Sequence, residues 1–212
     1  MDNKIRTSQM TDVTITVLQS DNTPLANQEV MIEQLRHKFL FGTAAFDLVP
    51  LTNGEYKEGA KEQAERRADK LTMLFNAATL PFYWARFEPQ RGKPMTEQLK
   101  NAARWCMDHG LLLKGHPLCW HTLTADWLLS MSSAEILQAQ TARIQRDVSD
   151  FRGLIDMWDV INEAVIMPVF DKYDNGITRL CQEMGRINMI KAMFEAARAQ
   201  NPSAILMIRV LC

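Results

Sequence analysis

Short apolar runs of strand length, set apart by longer stretches with helical spacing, organise the chain from Phe39 onward. The runs are Phe39-Leu40-Phe41-Gly42, Leu74-Phe75-Asn76-Ala77-Ala78, Leu111-Leu112-Leu113-Lys114-Gly115, Ile155-Asp156-Met157-Trp158-Asp159-Val160-Ile161 and Ala204-Ile205-Leu206-Met207-Ile208. Between them, Ala60, Ala64, Ala68 and Leu71 recur at helical spacing within a charged stretch, so Lys57 to Arg67 reads as a solvated helix face. Ser132-Ser133-Ala134-Glu135, just ahead of Ile136-Leu137, has the form of a capping box. Asn188 to Ala199 predicts another helix, closed by Asn201-Pro202. Strand and helix in regular alternation predict an α/β protein built on a parallel sheet.

The texture before Lys38 is different. Asp12-Val13-Thr14-Ile15-Thr16-Val17 alternates with the period of a half-buried strand, Ser20 to Pro24 supplies a turn, and Glu29 to Gln34 resumes extended sequence. Two antiparallel strands are therefore expected in a small β appendage over residues 1–38, ahead of a main domain over residues 39–212.

Regular β then α repetition fits either an open doubly wound sheet or a closed eightfold barrel. No Gly-rich turn follows the first run, where a nucleotide-binding sheet would cradle phosphate. Polar and aromatic residues cluster instead after several different runs, which is how barrel sites are built. The expected fold is thus a TIM (β/α)8 barrel. A whole barrel takes about 250 residues and eight strands, so five runs make it an incomplete one, of about five βα units.

Composition narrows the function classes. With 212 residues, 47% of them hydrophobic and 23% charged, the chain can bury a full core. A formal net charge of -1 and scattered Lys and Arg leave no basic stripe for nucleic acid. No uninterrupted apolar segment reaches membrane-spanning length, and Met1-Asp2-Asn3-Lys4 leads into polar sequence rather than a signal-peptide core. The expectation is a cytoplasmic protein or one whose leader is missing, with no membrane partner. Cys106, Cys119, Cys181 and Cys212 are too far apart for a CxxC site and read as free, mostly buried thiols.

The segment richest in chemistry is Met157-Trp158-Asp159-Val160-Ile161-Asn162-Glu163-Ala164, an apolar strand that ends abruptly in an amide and a carboxylate. Cleaving a glycosidic bond needs a carboxylic acid to protonate the leaving oxygen and a second carboxylate on the sugar's other face. Glu163 suits the first role, and Asn162 suits a hydrogen bond to the sugar's 2-hydroxyl. Lys114-Gly115-His116-Pro117-Leu118-Cys119-Trp120-His121 gathers two imidazoles and an indole at another strand end. Imidazoles donate to sugar hydroxyls, and an indole face stacks on a pyranose. Trp84 adds aromatic surface after the second strand. Asp159 is read as orienting its neighbours, and Trp105 and Trp127 as packing residues. Two histidines and a glutamate could also bind zinc, but the i, i+5 spacing of His116 and His121 puts them on opposite faces of an ideal strand. No metal and no cofactor are expected.

Trp158-Asp159-Val160-Ile161-Asn162-Glu163 and Gly115-His116-Pro117-Leu118-Cys119-Trp120-His121, with Trp84-Ala85-Arg86-Phe87-Glu88-Pro89 ahead of them, resemble the paired motifs of glycoside hydrolase family 10. The resemblance runs from roughly Phe39 to Ile208, and members of that family are mostly endo-β-1,4-xylanases. It implies a retaining hydrolase acting on β-1,4-linked plant cell-wall polysaccharide, usually secreted or periplasmic. By the same resemblance Glu163 is the acid/base, Asn162 holds the 2-hydroxyl, and His116, Trp120 and His121 line that subsite.

Two departures stand out. The family carries a Glu-Asn pair and a Lys before the tryptophan matching Trp84, whereas Thr79-Leu80-Pro81-Phe82-Tyr83 lacks those groups. The fifth strand normally ends in an Asn-Asp-Tyr-like segment, but here it runs Ile208-Arg209-Val210-Leu211-Cys212. The family's nucleophile lies at the end of the seventh strand, so these residues are expected to stop before it. The alternative expectation is a catalytically inactive fragment, or a remnant that binds carbohydrate without turnover.

Overall fold

The computed structural model describes residues 12–33, 35 and 38–210. Two compact units divide the chain, residues 1–38 and residues 39–212.

In the first unit the expected strand pair is replaced, among the described residues, by a tight turn. One antiparallel bridge joins Leu18 to Pro24. Gln19 N donates to Thr23 O at 2.8 Å, and the Asp21 carboxylate accepts from Thr23 N at 3.0 Å. No ladder extends through Asp12–Val17 or Glu29–Glu33, and Val13 and Ile15 are exposed. Gln34 lies outside the described residues. The alternation is present, but an isolated strand pair with no third strand or helix to bury its apolar face is marginal in water.

The second unit alternates strand and helix as its periodicity predicts. The strands are β1 (Gly42–Ala44), β2 (Ala77–Pro81), β3 (Leu112–His116), β4 (Met157–Asn162) and β5 (Ile205–Arg209). The helices are α1 (Leu48–Thr52), α2 (Glu58–Leu74), α3 (Trp84–Phe87), α4 (Thr96–Asp108), α5 (Ser133–Asp150), α6 (Gly176–Met184) and α7 (Arg186–Gln200). All strand pairs are parallel, and the order across the sheet is β1-β2-β3-β4-β5. A doubly wound sheet reverses its order at a switch point, whereas a barrel wall adds each strand beside the last. The order here is that of a barrel wall.

Local chemistry explains the elements. Ala64 and Ala68 are buried on α2, while Lys61 and Glu65, and Glu62 and Arg66, pair on its solvent side at 3.7 and 3.3 Å. Such exposed pairs contribute about 0.3 kcal/mol each. The capping box at α5 is formed: Ser132 N donates to Glu135 Oε2 at 2.9 Å and Glu135 N to Ser132 Oγ at 3.4 Å. Caps of this kind stabilise a helix by about 1 kcal/mol.

Between sheet and helices lies the core. Phe82 meets Trp158 and Phe151 edge-on at 4.9 and 5.0 Å, and all three are fully buried. Gly115 is what lets Trp158 lie flat against β3, because a Cβ there would stand 2.2 Å from the indole Cζ3. Cys106, Cys119 and Cys181 are free and buried in the same core, as expected; Cys212 lies outside the described residues.

Among the described residues β1 pairs only with β2 and β5 only with β4, so the sheet has two open edges. Ile205, Ile208 and Val210 are exposed along the β5 edge. No helix among the described residues is long and apolar enough to cross a membrane.

Candidate active site

Gly115 and Trp158 are register partners across β3 and β4, and their mutual contact puts both on the helix side of the sheet. Side chains alternate along a strand, so Lys114, His116 and Asp159 face the other side, the barrel interior. There His116 Nδ1 donates to Asp159 Oδ2 at 2.7 Å, and Lys114 Nζ reaches the same oxygen at 2.8 Å. Burial opposes ionisation of Asp159, but the hydrogen bonds from His116 and Lys114 outweigh it and hold the carboxyl below its ordinary value. Asp159 thus orients His116 rather than facing the open mouth.

Glu163 stands just past the end of β4, with a φ of 55°. A glutamate in the left-handed region costs on the order of 1 kcal/mol, the kind of local strain that collects at functional sites. The turn brings its carboxylate to the loop after β3, where Trp120 Nε1 donates to Glu163 Oε2 at 2.7 Å. His121 Nε2 lies 3.5 Å from that oxygen. Burial lowers the His121 pKa despite the opposing charge of Glu163, so the imidazole is neutral at pH 7 and this is a contact of neutral ring and carboxylate.

Two buried polar atoms in this cluster have no hydrogen-bond partner among the described residues: Asn162 Oδ1 and His121 Nδ1. Asn162 is tied in through its backbone, its N–H donating to Cys119 O at 3.0 Å, which leaves the amide oxygen for something else. An unmet buried polar atom costs about 1–3 kcal/mol, so hydroxyl-rich ligands are favoured at such a place.

The structure brings together Glu163, Asn162, His116, Trp120 and His121, and adds aromatics that sequence reasoning did not select. Tyr83 lies 5.7 Å from Trp120 and 5.8 Å from His116 between ring centroids, and Phe46 meets Tyr83 edge-on at 5.6 Å. On the far side Phe170 covers His121 at 4.3 Å and meets Tyr173 at 4.9 Å. The result is an aromatic line across the strand ends, from the loop after β1 to the loop after β4. Tyr83 had a readable signal, since it directly follows the second strand; Phe170 and Tyr173 had none beyond lying in the loop after Glu163.

Trp84 is not part of this line. It is 3% exposed, with its Nε1 donating to Glu88 Oε2 at 3.1 Å, Trp127 edge-on at 5.3 Å and the Arg143 guanidinium over its ring at 4.7 Å. The expectation that its indole faces sugar is corrected: β2 ends at Pro81, and α3 turns Trp84 inward while Tyr83 takes the mouth.

Beneath the line, α5 clamps the loops that carry it. Arg143 donates to Leu118 O at 2.8 Å, to Pro117 O at 3.3 Å and to Phe82 O, while Gln140 Nε2 also reaches Leu118 O at 2.9 Å. Asp147 and Arg146 extend the network to Glu88, with Arg146 donating to Glu88 Oε2 at 2.9 Å. Burial pushes the Cys119 thiol up to about 12, so it is a packing group and no nucleophile. His116 and His121 serve different carboxylates, and no group of three or more His, Cys, Asp or Glu among the described residues could hold a metal ion.

Residues 35–209 match Glycosyl hydrolase family 10. The chain is 31% identical over 84 residues to Endo-1,4-beta-xylanase B of Thermotoga neapolitana, covering 39% of this chain and 24% of that protein. It is 24% identical over 154 residues to an endo-1,4-beta-xylanase/feruloyl esterase of Xylanibacter ruminicola, covering 63% and 21%. A solved GH10 structure from Paenibacillus barcinonensis superposes with a TM-score of 0.64 at 20% identity, over 80% of this chain and 50% of that one. Xylanase 10B from Thermotoga petrophila RKU-1, solved with xylobiose, gives 0.61 at 21%, over 79% and 48%. The chain therefore spans about a quarter of the curated relatives' length and about half of these solved chains, and the structural likeness is one of fold.

Proposed function

This chain belongs to glycosyl hydrolase family 10, and on that footing we propose that its strand ends form the acid/base half of a retaining endo-β-1,4-xylanase site. The observation that carries the reading is the hydrogen bond from Trp120 to a strained, half-buried Glu163, with the unmet Asn162 oxygen beside it.

In the proposed reaction the sugar at the cleavage point lies over Trp120, within reach of His116, His121 and Asn162. Glu163 protonates the glycosidic oxygen as the bond breaks. With Oε2 accepting from Trp120, its other oxygen is the one free to carry that proton. A second carboxylate, about 5–5.5 Å away in retaining enzymes, takes the anomeric carbon as a glycosyl ester. Glu163, now a base, then activates water to release it. By the family pattern that nucleophile sits on a seventh strand, which the five strands described here do not include.

The test is Glu163→Gln in a chain that carries the full barrel. Hydrolysis of aryl xylosides with good leaving groups is expected to retain its first step, because no proton is needed, while xylan hydrolysis falls by 100-fold or more, on the order of general-acid catalysis. Equal losses on both substrates would remove Glu163 from the acid role. The open sheet favours a second reading for residues 1–212 taken alone, carbohydrate binding without turnover. Calorimetric binding of xylo-oligosaccharides without product release supports it, and release of shorter sugars overturns it.

A further inference from the structure

Beside the aromatic line a pocket of about 170 Å³ opens between α1, α3 and the start of α4, lined by Phe46, Pro81, Tyr83, Arg86, Met95 and Leu99 among others. Neither Glu163, Trp120 nor His116 lines it. A glycan laid along the line would pass the rim at Tyr83 without filling the space behind. At about 30 Å³ of liquid volume per water, the pocket holds five to six waters' worth, the scale of one pyranose ring.

Its walls are apolar, suited to the C–H face of a sugar, and its polar groups stand together. Arg86 is exposed, its backbone N–H donates to Tyr83 O at 2.9 Å, and its guanidinium has no carboxylate within ion-pair distance among the described residues. On the other side of α1, by contrast, Arg67 is already paired with Asp47 at 2.8 Å. Arg209, at the end of β5 and in register with Asn162, is a second cation at the mouth without an ion-pair partner among the described residues. Burial raises the pKa of the Tyr83 phenol, while Arg86 and Arg209 both act to lower it, so the two charges bear on the same ring.

We propose that this pocket receives a carboxylate-bearing sugar branch, a uronic acid hung from the glycan backbone, with Arg86 as its ion-pair partner. A planar guanidinium at the rim matches a carboxylate in two parallel hydrogen bonds, while the apolar wall takes the C–H face of the ring that carries it. The inference rests on the reading of the mouth as a β-1,4-glycan site and deepens it: the substrate is acidic and decorated, and the position of the branch is fixed relative to Tyr83.

Isothermal titration calorimetry on the full chain separates the possibilities with three probes. These are an unbranched xylo-oligosaccharide, the same backbone with one glucuronic acid branch, and that branched compound with its carboxyl reduced to the alcohol. The acid is expected to bind about five- to tenfold tighter than its reduced twin at low salt, the ratio shrinking as salt rises. In Arg86→Met the ratio collapses towards one. Equal affinity for acid and alcohol overturns the proposal, and so does a ratio that survives Arg86→Met in a chain that melts like the parent. Should that variant not fold, the twin comparison and its salt dependence in the parent decide. If the unbranched probe binds and the charge brings nothing, this inference alone fails; if none of the three binds, the glycan-site reading fails with it.

Discussion

Replacing Gly115 with alanine would put a methyl carbon 2.2 Å from Cζ3, 2.3 Å from Cε3 and 2.9 Å from Cη2 of Trp158. Carbon atoms settle at about 3.5–4.0 Å, so the indole must retreat by more than 1 Å. It has no room to do so, being fully buried, edge-on to Phe82 at 4.9 Å and held by Nε1 to Ile155 O at 3.1 Å. Overpacking of this kind costs about 1–3 kcal/mol, and a displaced buried hydrogen bond about 1 more. Against that, alanine recovers about 0.5–1 kcal/mol of the backbone entropy that glycine loses in a strand. The net expectation for Gly115→Ala is a loss of about 2 kcal/mol, or roughly 4–8 °C in Tm for a chain of this size. Urea unfolding followed by tryptophan fluorescence measures it. Trp158→Phe, which withdraws the clashing ring edge, should make the double variant less destabilised than the sum of the two singles by about 1 kcal/mol. An unchanged midpoint in Gly115→Ala, or strict additivity in the pair, would refute the packing argument.

Further outcomes follow from the site. Trp84→Phe keeps an aromatic ring in the core but loses the bond to Glu88 Oε2; stability should fall by about 1.5–3 kcal/mol while xylo-oligosaccharide affinity, read by calorimetry, is unmoved. A large loss of affinity without a loss of stability would return Trp84 to the sugar site. His121 is depressed below its ordinary 6.5 by burial, so the unfolded chain takes up its proton first. Stability should therefore decline as the pH falls from 6.5 through the lower folded value, then level off. His121→Gln should remove that part of the slope, and parallel pH–stability curves for parent and variant would contradict it.

Much of the scaffold was legible because its signals are local. The capping box at Ser132 and the alanine stripe of α2 are written within a single helix. So was the placement of the candidate site's residues: Asn162-Glu163 and the His116 to His121 segment each lie at the end of a strand whose apolar run can be read directly. What escaped depends on contacts between distant residues or on the pitch of one turn. Whether Tyr83 or Trp84 faces the mouth is decided by where β2 stops and α3 begins, a shift of one residue that no composition records. The clamp of Arg143 on Phe82 and Leu118 joins residues 61 and 25 positions apart, and in sequence Arg143 is only one more charge on an amphipathic helix. Asp12–Val17 failed in the opposite way, since its alternation is clear but the described residues of its own unit, 1–38, supply no further strand or helix for it to cover.

That clamp also bears on how such a protein can be re-engineered. Barrel loops are often treated as interchangeable parts on a fixed wall, to be swapped one at a time between relatives. Here the backbone carbonyls of two successive loops, at Phe82 and at Pro117 and Leu118, converge on one guanidinium, and Gln140 backs the same carbonyl of Leu118. A transplanted β3 loop whose path moves those carbonyls would leave the buried Arg143 guanidinium short of acceptors while its pairing with Asp147 stays, a defect of about 1–3 kcal/mol. The unit that can be grafted is therefore both loops together with the inner face of α5.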